Sequence, residues 1–291
     1  MTEPVVSGNE ERNEAEAVLR RIARTKGPVV DIAEAALALA SFDRPRVALE
    51  RYRHHLTVLA QDLAEATAGE GSGESGLSIE RRQALLSAIM VEKHGYEGDR
   101  LTYDDLQNAN LMRVIDRRKG LPVALGILYI HAARAQGWAA VGLNFPGHFL
   151  IRLDGEGGRI ILDPFNAGRA CESSELRELL RRTQGEKASL SPEHYSAADD
   201  RDVLLRLQNN IKLRLIRDEQ IERAVRVIEG MLLFAPDQAP LWREAGLLHA
   251  HLGNLKAAIE ALERFLSAAA ETGADRHDAA VLLQSLRARL N

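Results

Sequence analysis

Apolar residues recur at helical spacing through the first hundred positions of the chain. Residues 29–40 (VVDIAEAALALA) and 44–66 read as helices, the second with Val47, Leu56, Leu59 and Leu63 on its apolar side. Residues 1–28, polar at first, read as a flexible arm with a short helix that stops at Gly27-Pro28. The Gly-, Ser- and Glu-rich run between Thr67 and Ser78 predicts a loop. A helix resumes over 79–94 on Leu85, Leu86, Ile89 and Met90. After Asp104 the character changes. A short helix over 108–118 gives way to Gly120-Leu121-Pro122, where the proline suits the first turn of a new helix. That helix reaches Ala135, buries Leu121, Leu125, Leu128, Tyr129 and Ala132, and is stopped by Gly137. Three short strands follow over 139–145, 148–153 and 159–162, the last two joined by the hairpin signal Asp154-Gly155-Glu156-Gly157-Gly158. Ser173 or Ser174 would then cap a helix over 175–182.

From Pro192 onward the pattern is helical throughout and repeats itself. Ala224, Ile228 and Leu232 return 34 residues later as Ala258, Leu262 and Leu266. The second unit, with helices over 239–252 and 255–270, carries Trp242, Ala245, Gly246, Gly253, Ala258 and Leu262 at tetratricopeptide positions. The first unit is degenerate, with Gln208 and Lys212 where Trp and Gly belong, and Pro236 has Ala270 as its counterpart. A last helix is expected over 278–290. Helix pairs of this kind need neighbours to bury their faces, so two repeats are expected to lean on the preceding domain. One helix before three adjacent strands, followed by helices alone, predicts an α+β core with a small antiparallel sheet over 29–190 and an all-α region over 191–291.

Composition narrows the function classes. The 291 residues are 45% hydrophobic and 27% charged, enough for a true core. Aromatics are only 4%, which argues against a stacking platform for single strands. The net charge is −4 and neither part of the chain concentrates basic residues, so nucleic acid and anionic membrane are not expected partners. The longest uncharged apolar run, 120–130, is too short to span a bilayer. A single cysteine, Cys171, and no secretory leader fit the cytoplasm.

Candidate chemistry gathers in three stretches, 117–123, 144–149 and 161–166. His148 opens one strand and Asp163 closes the next, so the hairpin would set imidazole beside carboxylate, the orienting half of a nucleophile–His–Asp arrangement. The pair reads equally as a device that pins the hairpin. The helix beginning at Pro122 would direct N–H groups at the same place, with Arg117, Arg118 and Asn144 as a possible pocket or anion site; the basic run reads otherwise as a solvated helix end. Cys171 reads as a packed residue near a helix start, or as a substitute nucleophile. Adjacent His54-His55, and His249 with His251, lack the spacing of a metal pair, and Gly69, Gly71, Gly73 and Gly76 lack a phosphate-loop ending. No metal and no cofactor is predicted.

Val114-Ile-Asp-Arg-Arg-Lys-Gly-Leu-Pro122, the Leu125…Leu128-Tyr129 helix, Asn144-Phe-Pro-Gly-His-Phe149, Leu162-Asp-Pro-Phe165 and Gln208-Asn-Asn-Ile-Lys-Leu213 together resemble the bacterial regulator-of-invasion SirB family. The resemblance covers roughly residues 30 to 290 and implies a transglutaminase-like, papain-like core before tetratricopeptide repeats. It also implies a Cys–His–Asp triad, of which His148 and Asp163 match the second and third members. The first is missing, since residues 120–124 read Gly, Leu, Pro, Val, Ala. The expected function is a non-catalytic, regulatory protein that binds a protein or peptide partner, with Trp242 and His249 marking a possible groove unless both are packing residues. The alternative is a hydrolase or acyl transferase using His148 and Asp163 with water or Cys171.

Overall fold

The computed structural model describes residues 8–69, 77–155, 157–268 and 273–290. Much of the Gly-Ser loop, the first seven positions, Glu156 and Ala270 fall outside them. The chain forms two compact units, residues 1–15 with 26–207, and residues 16–25 with 208–291. Helix predominates, with twelve α-helices and one small antiparallel sheet among the described residues.

Helix α1 (Gly8–Arg24) buries Ala15, Val18, Leu19 and Ile22. Helix α2 (Ile32–Ser41) begins where the Asp31 side chain accepts from the Glu34 N–H at 3.1 Å, and its alanines and leucines let it be buried almost all round. Helix α3 (Glu50–Ala68) turns Tyr52, Leu56, Leu59 and Leu63 inward. It starts later than the predicted residue 44 because Pro45 disfavours helix at the residue before it. Ser78 caps α4 (Ile79–Ser87), which widens into a π-helical turn over Ala88–Lys93.

Two short parallel strands, β1 (Glu97–Gly98) and β2 (Lys119–Gly120), flank α5 (Leu111–Arg117). The helix expected over 108–118 is broken in two. Asn110 leaves helical geometry to accept from the Arg113 N–H at 3.1 Å, separating a 3-10 turn from α5, and Arg118 at φ 60° closes it. Helix α6 (Pro122–Ala135) has the predicted bounds, with Pro122 in its first turn and Gly137 at φ 72° just beyond it. Strands β3 (Ala139–Gly142), β4 (Ile151–Gly155), β5 (Gly158–Asp163) and β6 (Arg169–Ala170) pair antiparallel in that order, Ile151 opposite Leu162 and Gly142 opposite Ile151. His148 does not begin β4. It lies in the bend before it, where Pro146 has no N–H for a ladder and Gly147 turns the chain at φ 72°.

Ile151 on one face of the sheet lies under α6, while Ile161 on the other packs with Leu176 and Leu180 of α7 (Ser173–Gln184). The cap of α7 is Glu172, in a reciprocal box with Glu175, and not Ser173 or Ser174. Residues Pro192–Tyr195 form a 3-10 turn before α8 (Asp200–Arg217), which crosses from the first unit to the second.

In the second unit α9 (Ile221–Phe234), α10 (Ala239–His251), α11 (Leu255–Ala268) and α12 (Ala274–Leu290) follow the predicted repeat, the last starting a turn early. Gly246 is the small residue that lets α10 and α11 close: a Cβ there would stand 2.7 Å from the Leu262 side chain. Ala258, Leu262, Phe265, Ala279, Leu283 and Leu286 form the core of this stack.

Candidate functional site

The turn after β5 is built by one carboxylate. Asp163 is 2% exposed, and its Oδ1 accepts from the N–H groups of Phe165 at 3.0 Å and Asn166 at 3.2 Å, capping the 3-10 turn Pro164–Asn166. Its Oδ2 lies 2.8 Å from His148 Nε2 and accepts from Asn166 Nδ2 as well. Burial pushes the Asp163 carboxyl up, but the hydrogen bond and charge of His148, with the bonds from Asn166, outweigh it and hold the group below the ordinary range. Since Asp163 engages Nε2, Nδ1 is the nitrogen of His148 left to meet a substrate, water or nucleophile.

The surroundings fix this pair. The Phe165 ring stands edge-on to His148 with centroids 6.4 Å apart, and Arg100 lies over Phe165 at 5.3 Å while also donating to the Asn166 side chain. Helix α6 supplies the wall beneath: the Phe149 ring, next in chain to His148, fills the space above Gly126. Tyr129, also on α6, is buried with no hydrogen-bond partner on its hydroxyl among the described residues, and burial followed by the Asp163 charge pushes its phenol up. Gln83 and Ser87 donate to the Gly168 carbonyl, tying the end of the turn to α4.

No thiol meets this pair at the start of α6. Gly120, Leu121, Pro122, Val123 and Ala124 are all buried and none carries a nucleophilic atom. Cys171 lies beyond β6, its N–H bonded to the Ile161 carbonyl at 2.8 Å and its side chain packed beside the Leu176 and Leu180 cluster. Burial, then the charges of Asp163 and Glu175, pushes this thiol up to about 12, opposite to what activates a cysteine.

The remaining expected site residues are placed elsewhere. Arg117 donates to Asp99 at 3.0 Å and to Asn108 at 2.8 Å, and Lys119 pairs with Glu97. Arg118 lies over the Tyr96 ring at 4.9 Å and donates to His55 Nε2 at 2.6 Å. His55 is pushed down to about 4 by burial and then by Arg118, so it stays neutral and accepts that bond. Asn144 donates to Ser196 Oγ at 3.2 Å. Each guanidinium thus has a partner inside the fold, and the two are not brought together with Asn144. Trp242 donates to the Pro236 carbonyl at 2.8 Å and packs against the α11–α12 stack, while His249 is buried, 8% exposed. Sequence reasoning missed Asn166 and Tyr129 as parts of the site; the Asp-Pro-Phe-Asn order was the available signal for the first.

Comparison with known proteins follows the same division. The profile of the transglutaminase-like superfamily matches residues 50–209, and a tetratricopeptide repeat profile matches residues 211–287. A UPF0162 protein of Xylella fastidiosa is 33% identical over 188 residues, 64% of this chain and 67% of its own. A UPF0162 protein of Vibrio cholerae is 31% identical over 238 residues, 81% and 86% of the two chains. Protein SirB1 of Salmonella typhimurium is 28% identical over 177 residues, 60% and 65%. Among solved structures, a crystal structure of menin aligns over 92% of this chain and 72% of menin at 11% identity and a TM-score of 0.40, a likeness too low to carry an inference.

Proposed function

This chain belongs to the transglutaminase-like superfamily, alongside the UPF0162 and SirB1 proteins, and on that premise we propose that it is a non-catalytic member acting through protein interaction. The observation that carries the reading is the composition of the α6 start. Covalent acyl transfer needs an atom that attacks the carbonyl, and Leu121-Pro122-Val123-Ala124 has none. The one thiol, Cys171, is held protonated by its surroundings. What remains at the site is a turn-capping carboxylate and the imidazole it orients. Tetratricopeptide repeats commonly present a surface to protein partners, so residues 211–287 are the part assigned to recognition. No helix among the described residues is long and apolar enough to cross a membrane. The single cysteine suits a reducing compartment, and on that ground the reading assigns the protein to the cytoplasm.

The intact His148–Asp163 pair favours a second reading, a hydrolase in which Nδ1 of His148 activates water. One experiment separates the two. The full chain and His148→Ala are assayed on a panel of amides, esters and glutamine–amine pairs. The first reading expects no turnover above the variant's; turnover that disappears with His148 establishes the second and overturns the first.

A further inference from the structure

Away from the His148–Asp163 pair, the first unit gathers four arginines around one cleft. Arg152 comes from β4, Arg159 from β5, and Arg177 and Arg181 from α7, facing a wall that runs from Ala188 to Ser196. The cleft holds about 730 Å³, within the size range of small-molecule sites, and no acidic side chain lines it. Asp154 offsets one of these charges by pairing with Arg152, and the other three guanidiniums have no ion pair among the described residues.

The fold makes the convergence obligatory. Arg152 stands opposite Ile161 and Arg159 opposite Asp154, so strand alternation sends both arginines to the face of the sheet that α7 covers. On α7 the spacing of four residues stacks Arg177 and Arg181 on one side of the helix, while Leu176 and Leu180 anchor its buried side in the core. Arg152 is fixed by Asp154 at 2.9 Å and by the Tyr195 carbonyl at 2.8 Å. Arg159, Arg177 and Arg181 have no ion pair or side-chain hydrogen bond among the described residues, and their side chains are exposed.

Like charges repel, so an arrangement of this kind is relieved by a bound anion. Guanidinium is the group best shaped for it, since its planar fork takes two oxygens of one phosphate or carboxylate. Three unpaired forks around one cleft, with Arg152 held beside them by Asp154, match a compact ligand of high charge density better than an extended acidic chain. We propose that this cleft is a binding site for a small anion bearing two or more phosphate groups. The site is separate from the proposed interaction role of the repeats and stands or falls without it.

The test is calorimetric titration of the full chain with sodium tripolyphosphate, at about 0.05 and 0.5 M salt to expose the electrostatic component. A nucleoside triphosphate and a sugar bisphosphate as parallel ligands distinguish the sources of the phosphate. One-to-one binding is expected, weakened by salt and by at least about tenfold in the double variant Arg177→Gln with Arg181→Gln. Lysine at both positions keeps the charge without the fork and is expected to restore only part of the affinity. Arg159→Gln, on the sheet, is expected to weaken binding too and carries the test if the α7 variant fails to fold. Absence of binding, or binding unchanged in these variants, overturns the proposal. So does tighter binding of a glutamate-rich peptide than of tripolyphosphate, which would make the cleft a surface for acidic proteins.

Discussion

Gly126 of α6 lies so close beneath Phe149 that a Cβ on it would stand 2.3 Å from the ring. Phe149 is 2% exposed and has no room to retreat, and it is the neighbour of His148. Gly126→Ala gains helix propensity of about 1 kcal/mol, but overpacking a closed core costs more. The expected result is a net loss of about 2 kcal/mol in urea unfolding, with shifted His148 ring resonances; an unchanged or raised midpoint would show that the contact is soft.

The buried carboxylate of Asp200 links three parts of the first unit. It receives Arg134 Nη1 at 2.6 Å and Nη2 at 3.0 Å, together with the Val30 N–H at 2.9 Å. Asp200→Ala leaves both a guanidinium and a backbone donor without their acceptor, and a loss of about 3 kcal/mol is expected. Pairing it with Arg134→Met should recover part of the loss, measured as the coupling in a double-mutant cycle.

Acid should weaken the turn after β5 in a particular way. Asp163 is held below its unfolded value of about 3.9, so its ionised form contributes stability above that pH. The contribution is lost as pH falls through the folded value. Asp163→Asn removes it at every pH, so the stability gap between the wild type and this variant should be constant above about pH 5 and narrow from about pH 5 to about pH 2. A gap that is constant across this range would mean the carboxylate's charge contributes nothing.

Cys171 should be sluggish toward alkylation. With the thiol pushed up to about 12, only about one molecule in ten thousand carries a thiolate at pH 8. Iodoacetamide labelling of the native chain, followed by intact mass, should be far slower than after unfolding in urea. Equal rates would return Cys171 to the set of possible nucleophiles.

Local signals made some of the site legible in the sequence. Pro122 and Gly137 bracket α6 because one residue type starts helices and the other ends them, and the glycine-rich run between β4 and β5 announced their pairing. The nearness of His148 and Asp163 followed from that hairpin, although His148 lies in a Pro-Gly bend and not in the strand. Long-range chemistry left no such trace. Asp200 and Arg134 are ordinary charged residues until the fold buries the first, and Arg152, Arg159, Arg177 and Arg181 come from three elements that no local pattern relates. The partners of Arg117 and Arg118 were equally invisible, since Asp99, Asn108, Tyr96 and His55 reach them only through tertiary packing.

Asp163 does two jobs with different oxygens, since Oδ1 closes the turn and Oδ2 orients the imidazole. The demands of folding alone therefore suffice to keep the aspartate, whether or not the chain turns over a substrate. The pairing of His148 with Asp163 is accordingly no measure of whether a chain that carries it is an enzyme. The start of α6 answers to a different demand: its buried Leu121-Pro122-Val123-Ala124 begins a core helix, while the cap of the turn is made by Asp163 with Phe165 and Asn166.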